Sequence, residues 1–178
     1  MSSARFTVDV EDIPSYGCYR MLWESAGIVN GPKFPNLKSI GDYGLADAFR
    51  GCSSLSSVEL PSTPISVGTY GCNYAFSGSG IKAVENLNLS GIGEHGCEGM
   101  FLSCANLEKV DGLSVENFNT YAFTGMFSDC SSLTSVQDLY IDNSEYTNKK
   151  NGYSKCDSMF QNCNSLLSVG GMIKGVYG

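Results

Sequence analysis

The chain is poor in charge, in histidine and in long apolar runs. Charged residues make up 16% of its 178 positions, eleven basic against eighteen acidic, for a net charge of −7. Nucleic acid or an anionic membrane surface, as the main partner, requires a positive footprint that this balance does not supply. No stretch approaches the roughly 18–20 apolar residues that span a bilayer, so membrane insertion is not expected. The opening MSSARFTVDVEDIPSYG lacks the basic segment and apolar core of an export signal. Also missing are the phosphate-binding G-x-x-x-x-G-K-[ST], the nucleophile elbow G-x-S-x-G and the zinc-protease H-E-x-x-H. Carboxylates do not pair in a recurring arrangement suited to acid/base work, so neither an enzyme nor a bound cofactor is expected.

What is present is glycine (21), much serine, and eight cysteines, a mixture that favours turns and short elements. It is also repetitive. Aligned on a central aromatic, the chain reads IGDYGLADAFRGCSSLSSVEL around Phe49, VGTYGCNYAFSGSGIKAVENL around Phe76 and IGEHGCEGMFLSCANLEKVDGL around Phe101. It continues as NTYAFTGMFSDCSSLTSVQDL around Phe127 and YSKCDSMFQNCNSLLSVGGM around Phe160, with a degenerate copy, IPSYGCYRMLWESAGI, centred on Leu22. Successive anchors lie 27, 27, 25, 26 and 33 residues apart. The shared pattern is [IV]-G-x-[YH]-G-C-x-x-[MA]-F-x-x-C-x-x-L-x-x-V-x-x-L.

All the cysteines fall on two columns of this pattern. Cys18, Cys72, Cys97 and Cys156 share the first, where the other copies carry Leu45 and Phe123. Cys52, Cys104, Cys130 and Cys163 share the second, where the others carry Ser25 and Ser79. A metal-binding or catalytic thiol does not survive exchange for leucine or phenylalanine, whereas a small packed hydrophobe does. The C-x6-C spacing is also wrong for structural zinc, which takes cysteines two to four apart. Neighbouring coils bring equivalent residues within about 5 Å, so bridges such as Cys72–Cys97 or Cys104–Cys130 stay open geometrically, with buried free thiols the simpler reading. His95 shares its column with Tyr16, Tyr43, Tyr70 and Tyr121, which predicts a partly buried ring with a hydrogen-bonded polar tip.

Cys97, Met100, Phe101 and Cys104 stand at i, i+3, i+4 and i+7, the apolar stripe of a short helix. The segment that follows shifts to extended chain, ending in the alternation of Leu113 and Val115. Each copy therefore reads as short helix, turn and short strand. One such unit cannot bury its apolar side alone, and stacking buries it in a continuous core. The core set predicted from the columns is the eight cysteines with Phe49, Phe76, Phe101, Phe127 and Phe160.

AFRGCSSLSSVELP, MFSDCSSLTSV and LSVENFNTYAFTGMFSDCSSL resemble the BspA-type leucine-rich repeat of bacterial surface proteins, over roughly residues 13–172. The resemblance implies an α/β solenoid, right-handed, of about six coils with a parallel sheet on one face. It also implies a non-enzymatic adhesion or protein-binding role at a cell surface, with a protein or glycan ligand. Similar repeats in bacteriophage structural proteins make a virion or assembly component the alternative, and an intracellular scaffold the weaker one. The shortened SGSGIKAV in the third copy and the longer interval before the sixth depart from the pattern.

The expected organisation is a capping strand over residues 1–12, from the alternation of Phe6, Val8 and Val10, and one solenoid over 13–178. Residues between the apolar anchors of the strand segments should point outward as one polar strip. They are Glu59, Glu85, Asn88, Glu108, Asp111, Gln137, Asp138 and Tyr140, and the aromatic Tyr140 is the natural contact anchor. The insertion at 142–155 adds Tyr146, Lys149, Lys150 and Tyr153, a second candidate binding element, because insertions in repeats map to loops. At the far end, Met172, Ile173 and Val176 are expected to cover the last coil, unless self-association or a neighbouring domain does so.

Overall fold

The structure, a computed structural model, describes residues 6–144 and 156–174. The chain winds as an all-β solenoid, and among the described residues there is no helix. The α/β expectation of a short helix in each coil is overturned. Each coil has three runs: a ribbon of successive turns, a short strand, and a second strand after a corner. The first-run strands are β2 (Asn30–Lys33), β4 (Ser57–Glu59), β6 (Ala83–Glu85) and β8 (Lys109–Asp111). The second-run strands are β1 (Asp12–Ile13), β3 (Ser39–Ile40), β5 (Ile65–Val67), β7 (Asn88–Ile92) and β9 (Ser114–Phe118). In the last two coils the runs merge into β10 (Ser135–Asp142) and β11 (Ser168–Lys174). Nine strands form one parallel sheet that occupies both runs, joined through β10, while β2 and β4 stand apart as a pair. Before β1, the Val8 N–H donates to the Lys33 carbonyl at 2.8 Å, so this segment lies beside β2.

The turn ribbon replaces the expected helix. In residues 41–52 alternate amides point in two directions. Those of Tyr43, Leu45, Asp47, Phe49 and Gly51 donate to Thr69, Gly71, Asn73, Ala75 and Ser77 of the next coil at 2.7–3.1 Å. Those of Gly44, Ala46, Ala48, Arg50 and Cys52 donate three residues back within their own coil. Every fourth residue takes positive φ, here Tyr43 (55°), Asp47 (53°) and Gly51 (71°), as the third position of a type II turn requires. The four-residue period of the ribbon sends Cys97 with Phe101, and Met100 with Cys104, into the core. The same four positions form a helical stripe, so side-chain periodicity could not separate the two backbones. The hydrogen-bond partners do. A helix uses its amides internally, whereas here half of them hold adjacent coils together.

Gly125 tests this directly. It has φ +58°, and a Cβ there would meet nothing closer than the Ser128 Cβ at 3.7 Å. Gly125→Ala would stabilise a helix by up to about 1 kcal/mol. In the left-handed conformation it is expected to cost about 1–2 kcal/mol. A urea midpoint that rises on substitution would refute the ribbon.

The core lies between the three runs. Phe49, Phe76, Phe101, Phe127 and Phe160 stack face to face through five coils, with centroids 5.1–5.6 Å apart and planes within 9° of parallel. Val84, Val110 and Val136 from the first strand run, and Leu89, Val115 and Ile141 from the second, close the interior. At the far end Met172 and Ile173 belong to β11 itself and are 49% and 59% exposed, as is Leu167 at 87%. They form the uncovered outer side of the last coil rather than the expected cover, and Val176 lies outside the described residues.

Candidate functional site

The strand register sorts the predicted surface residues into two groups rather than one strip. On the first run, Glu85 of β6, Asp111 of β8 and Gln137 of β10 are direct neighbours across adjacent strands. Glu108 lies one residue before β8 and three before Asp111. Its side chain is exposed and its backbone is locked, the N–H donating to Lys82 O and the carbonyl accepting from Thr134 N–H, both at 2.9 Å. Asp138 sits where β10 turns the corner, with φ +47° and an exposed side chain. Asn88 and Tyr140 lie on the second run, both in register with Ser114. The Tyr140 hydroxyl donates to Asp142 Oδ2 at 3.0 Å. That bond, then burial and the carboxylate charge, raise its pKa and keep it protonated. Tyr146, Lys149, Lys150 and Tyr153 lie outside the described residues.

Glu59 is separated from the Glu85 row by a break in the sheet. Among the described residues β4 pairs with β2 alone and β6 with β8 alone, so the facing edges of β4 and β6 share no ladder. Between them opens a cleft of about 530 Å³, within the range of ligand pockets. Phe76, Ile81, Val84 and Phe101 contribute apolar walls, Val58 and Leu60 one side, and Glu59, Lys82 and Glu85 polar groups. Glu59 pairs with Lys33 at 2.9 Å, and Glu85 pairs with Lys109 across the next strand.

Two local features of the sequence produce the break. Phe76 to Val84 is eight residues, against nine from Phe49 to Val58, Phe101 to Val110 and Phe127 to Val136. The corner from Val58 to Ile65 takes seven residues and contains Pro61 and Pro64, against five from Val84 to Leu89. A wide coil is thus followed by a narrow one. Gly80 permits their contact at the turn side, donating its N–H to Cys52 O at 3.2 Å. Repeat periodicity does not single out the cleft residues, although the missing residue that opens the cleft is visible when the copies are aligned.

The ring column forms an outer ladder. Tyr16, Tyr43, Tyr70, His95 and Tyr121 stack at 4.8–5.0 Å with planes within 14° of parallel. His95 is half-buried in it, and its Nδ1 lies 2.6 Å from Glu98 Oε2. Inside, all eight cysteines are free thiols. Those of the second column have a common role. Cys52, Cys104, Cys130 and Cys163 donate Sγ–H to the carbonyls of Leu22, Phe76, Phe101 and Phe127, the anchor residue of the preceding coil, at 2.9–3.2 Å. Ser79, which stands in the same column, instead has its Oγ 3.5 Å from Cys104 Sγ of the next coil.

Burial raises the Cys104 thiol to about 11 and pushes Cys130 up as well. The thiolate is the nucleophile, so these thiols are inert in the folded state. A disulfide reagent at pH 8 is expected to titrate rapidly at most Cys18 and Cys156, the half-buried pair, and all eight after denaturation. Six or more fast thiols in native protein would mean that the coils are not closed.

The sequence model of the BspA type Leucine rich repeat region matches residues 24–167 in six copies. The chain belongs to the BspA-type leucine-rich repeat family. Modules of this family are structural and adhesive rather than enzymatic, so this BspA-type chain is a non-enzymatic repeat module. Family likeness to bacterial surface proteins is consistent with a protein-binding role and with a location at the cell surface. Comparison with curated proteins and with solved structures finds no match.

Proposed function

We propose that this BspA-type module is displayed on a bacterial cell surface, where it binds a protein or glycan through its strand runs and the 142–155 loop. The observation that supports this most is the row Glu85, Asp111 and Gln137. Three polar side chains are held in register on a rigid sheet, beside a cleft. Solenoids bind through extended faces of this kind, with affinity concentrated in a few anchors. Immunogold labelling of intact producing cells tests the location. Envelope label supports the reading, and label confined to purified virus particles sinks it. The rival, a bacteriophage tail or capsid part, draws support from the uncovered apolar residues Leu167, Val169, Met172 and Ile173 on the last coil.

A further inference from the structure

We propose that the cleft between β4 and β6 is a binding site for a small apolar carboxylate, with an aromatic or branched alkyl body and a single negative charge. This goes beyond the macromolecular contact made through the strand runs and does not depend on it. The shape of the cleft sets the size of the ligand. On the turn side the two coils close on each other, where the Lys82 N–H donates to Ser56 O at 3.4 Å. Past the corner they close again, with Ile65 of β5 in register with Leu89 of β7. Closure at both ends leaves no passage for a polymer. The volume between them, about 530 Å³, lies within the range of small-molecule sites.

The lining sets the body of the ligand. The buried side chains of Phe76, Ile81, Val84 and Phe101 form the floor, and the half-buried Val58 and Leu60 form one side. An apolar group seated there leaves water without stripping water from a buried charge. The charges set the head group. Glu59 is paired with Lys33 at 2.9 Å, and Glu85 with Lys109. Lys82 lines the same cleft with its side chain exposed and, among the described residues, in no ion pair. Each carboxylate is thus balanced by its own lysine, and Lys82 is the uncompensated charge at the mouth. One ammonium is a compact point charge that matches one carboxylate. A phosphate carries nearly two charges and would face Glu59 and Glu85 with a single lysine to meet it.

The probes are 3-phenylpropanoate and its uncharged amide, titrated at neutral pH into the chain labelled with ¹³C at its methyl groups. The ring of the probe is expected to shift the methyls of Val58, Leu60, Ile81, Ala83 and Val84, saturating with a Kd on the order of 1 mM, as suits so small a ligand. The amide should bind about fivefold more weakly, the upper end for a partly exposed ion pair. Lys82→Gln, a surface change, should bring the acid down to the level of the amide and leave the amide as it was, the coupling that a double-mutant cycle isolates. Ala83→Phe, which fills the cleft, should abolish binding of both probes. Ser62→Trp, at an exposed position on the rim, is expected to obstruct entry without touching the core, and covers the case in which Ala83→Phe fails to fold. Absence of saturable methyl shifts overturns the proposal. So does equal affinity of the native chain for acid and amide, which removes the role of Lys82. Shifts that persist undiminished in Ser62→Trp and in a folded Ala83→Phe place the probe elsewhere and overturn it as well.

Discussion

Phe127→Ala is expected to destabilise the chain by about 3–5 kcal/mol, measured as a shift in the urea transition followed by far-ultraviolet circular dichroism. Phe127 is fully buried and stacks between Phe101 at 5.4 Å and Phe160 at 5.6 Å. Removing its ring deletes two stacking contacts and leaves a cavity whose walls are held by the ribbon bonds. Phe101 N–H to Met126 O and Phe127 N–H to Met159 O, both at 2.9 Å, fix the backbone on either side. The site therefore cannot collapse to fill the space, which places the cost in the upper part of the range. A domain is stable by only about 5–15 kcal/mol, so this one change is a large fraction of the total. In a stack of coils, stability is a sum of unit and neighbour terms. The last two coils are then expected to melt before the rest, giving a broadened or two-step transition. A loss below about 1.5 kcal/mol, with a single sharp transition, would show that the ring ladder is not tightly packed.

Gly80→Val carries the second large effect, expected at about 2–3 kcal/mol from overpacking. A Cβ at Gly80 would lie 2.3 Å from Ser53 O and 3.1 Å from its carbonyl carbon, and both atoms are backbone. Neither can rotate away, so the wide and narrow coils must separate where they meet beside the cleft. Gly27→Ala is the control, because a Cβ there meets nothing within 4 Å. It is expected to change stability by no more than about 0.5 kcal/mol, as an unstrained surface substitution does. Equal midpoints for the Gly80 and Gly27 variants would remove the close approach at Ser53, and with it the explanation of how a shortened repeat is accommodated.

Much of the interior is legible in the repeat pattern. The two cysteine columns, tolerant of leucine, phenylalanine and serine, mark packing positions, and six of the eight thiols are buried. The Phe column marks the ring ladder. The surface is less legible. Glu85, Asp111 and Gln137 do line up, but Asn88 and Tyr140 lie beyond the corner on the second strand run, and Glu59 lies across a break. Period-two alternation says which face of a strand a residue occupies, but not where the chain turns between two strands only a few residues apart. The expected helix failed for a related reason. A stripe at i, i+3, i+4 and i+7 records which side chains are buried, and a ribbon of turns with a four-residue period buries the same ones.

The repeat, the number of copies, the inward columns and the family can all be read from the residues alone. These are set by side-chain chemistry recurring at fixed intervals, and each copy states them locally. The backbone path and the cleft are set by contacts between coils. An amide in a single coil can bond three residues back or reach the next coil. Which it does depends on carbonyls a full coil away in sequence, as with Tyr43 to Thr69 and His95 to Thr120. The cleft likewise belongs to no single copy: it exists because a long corner in one coil stands beside a shortened turn in the next.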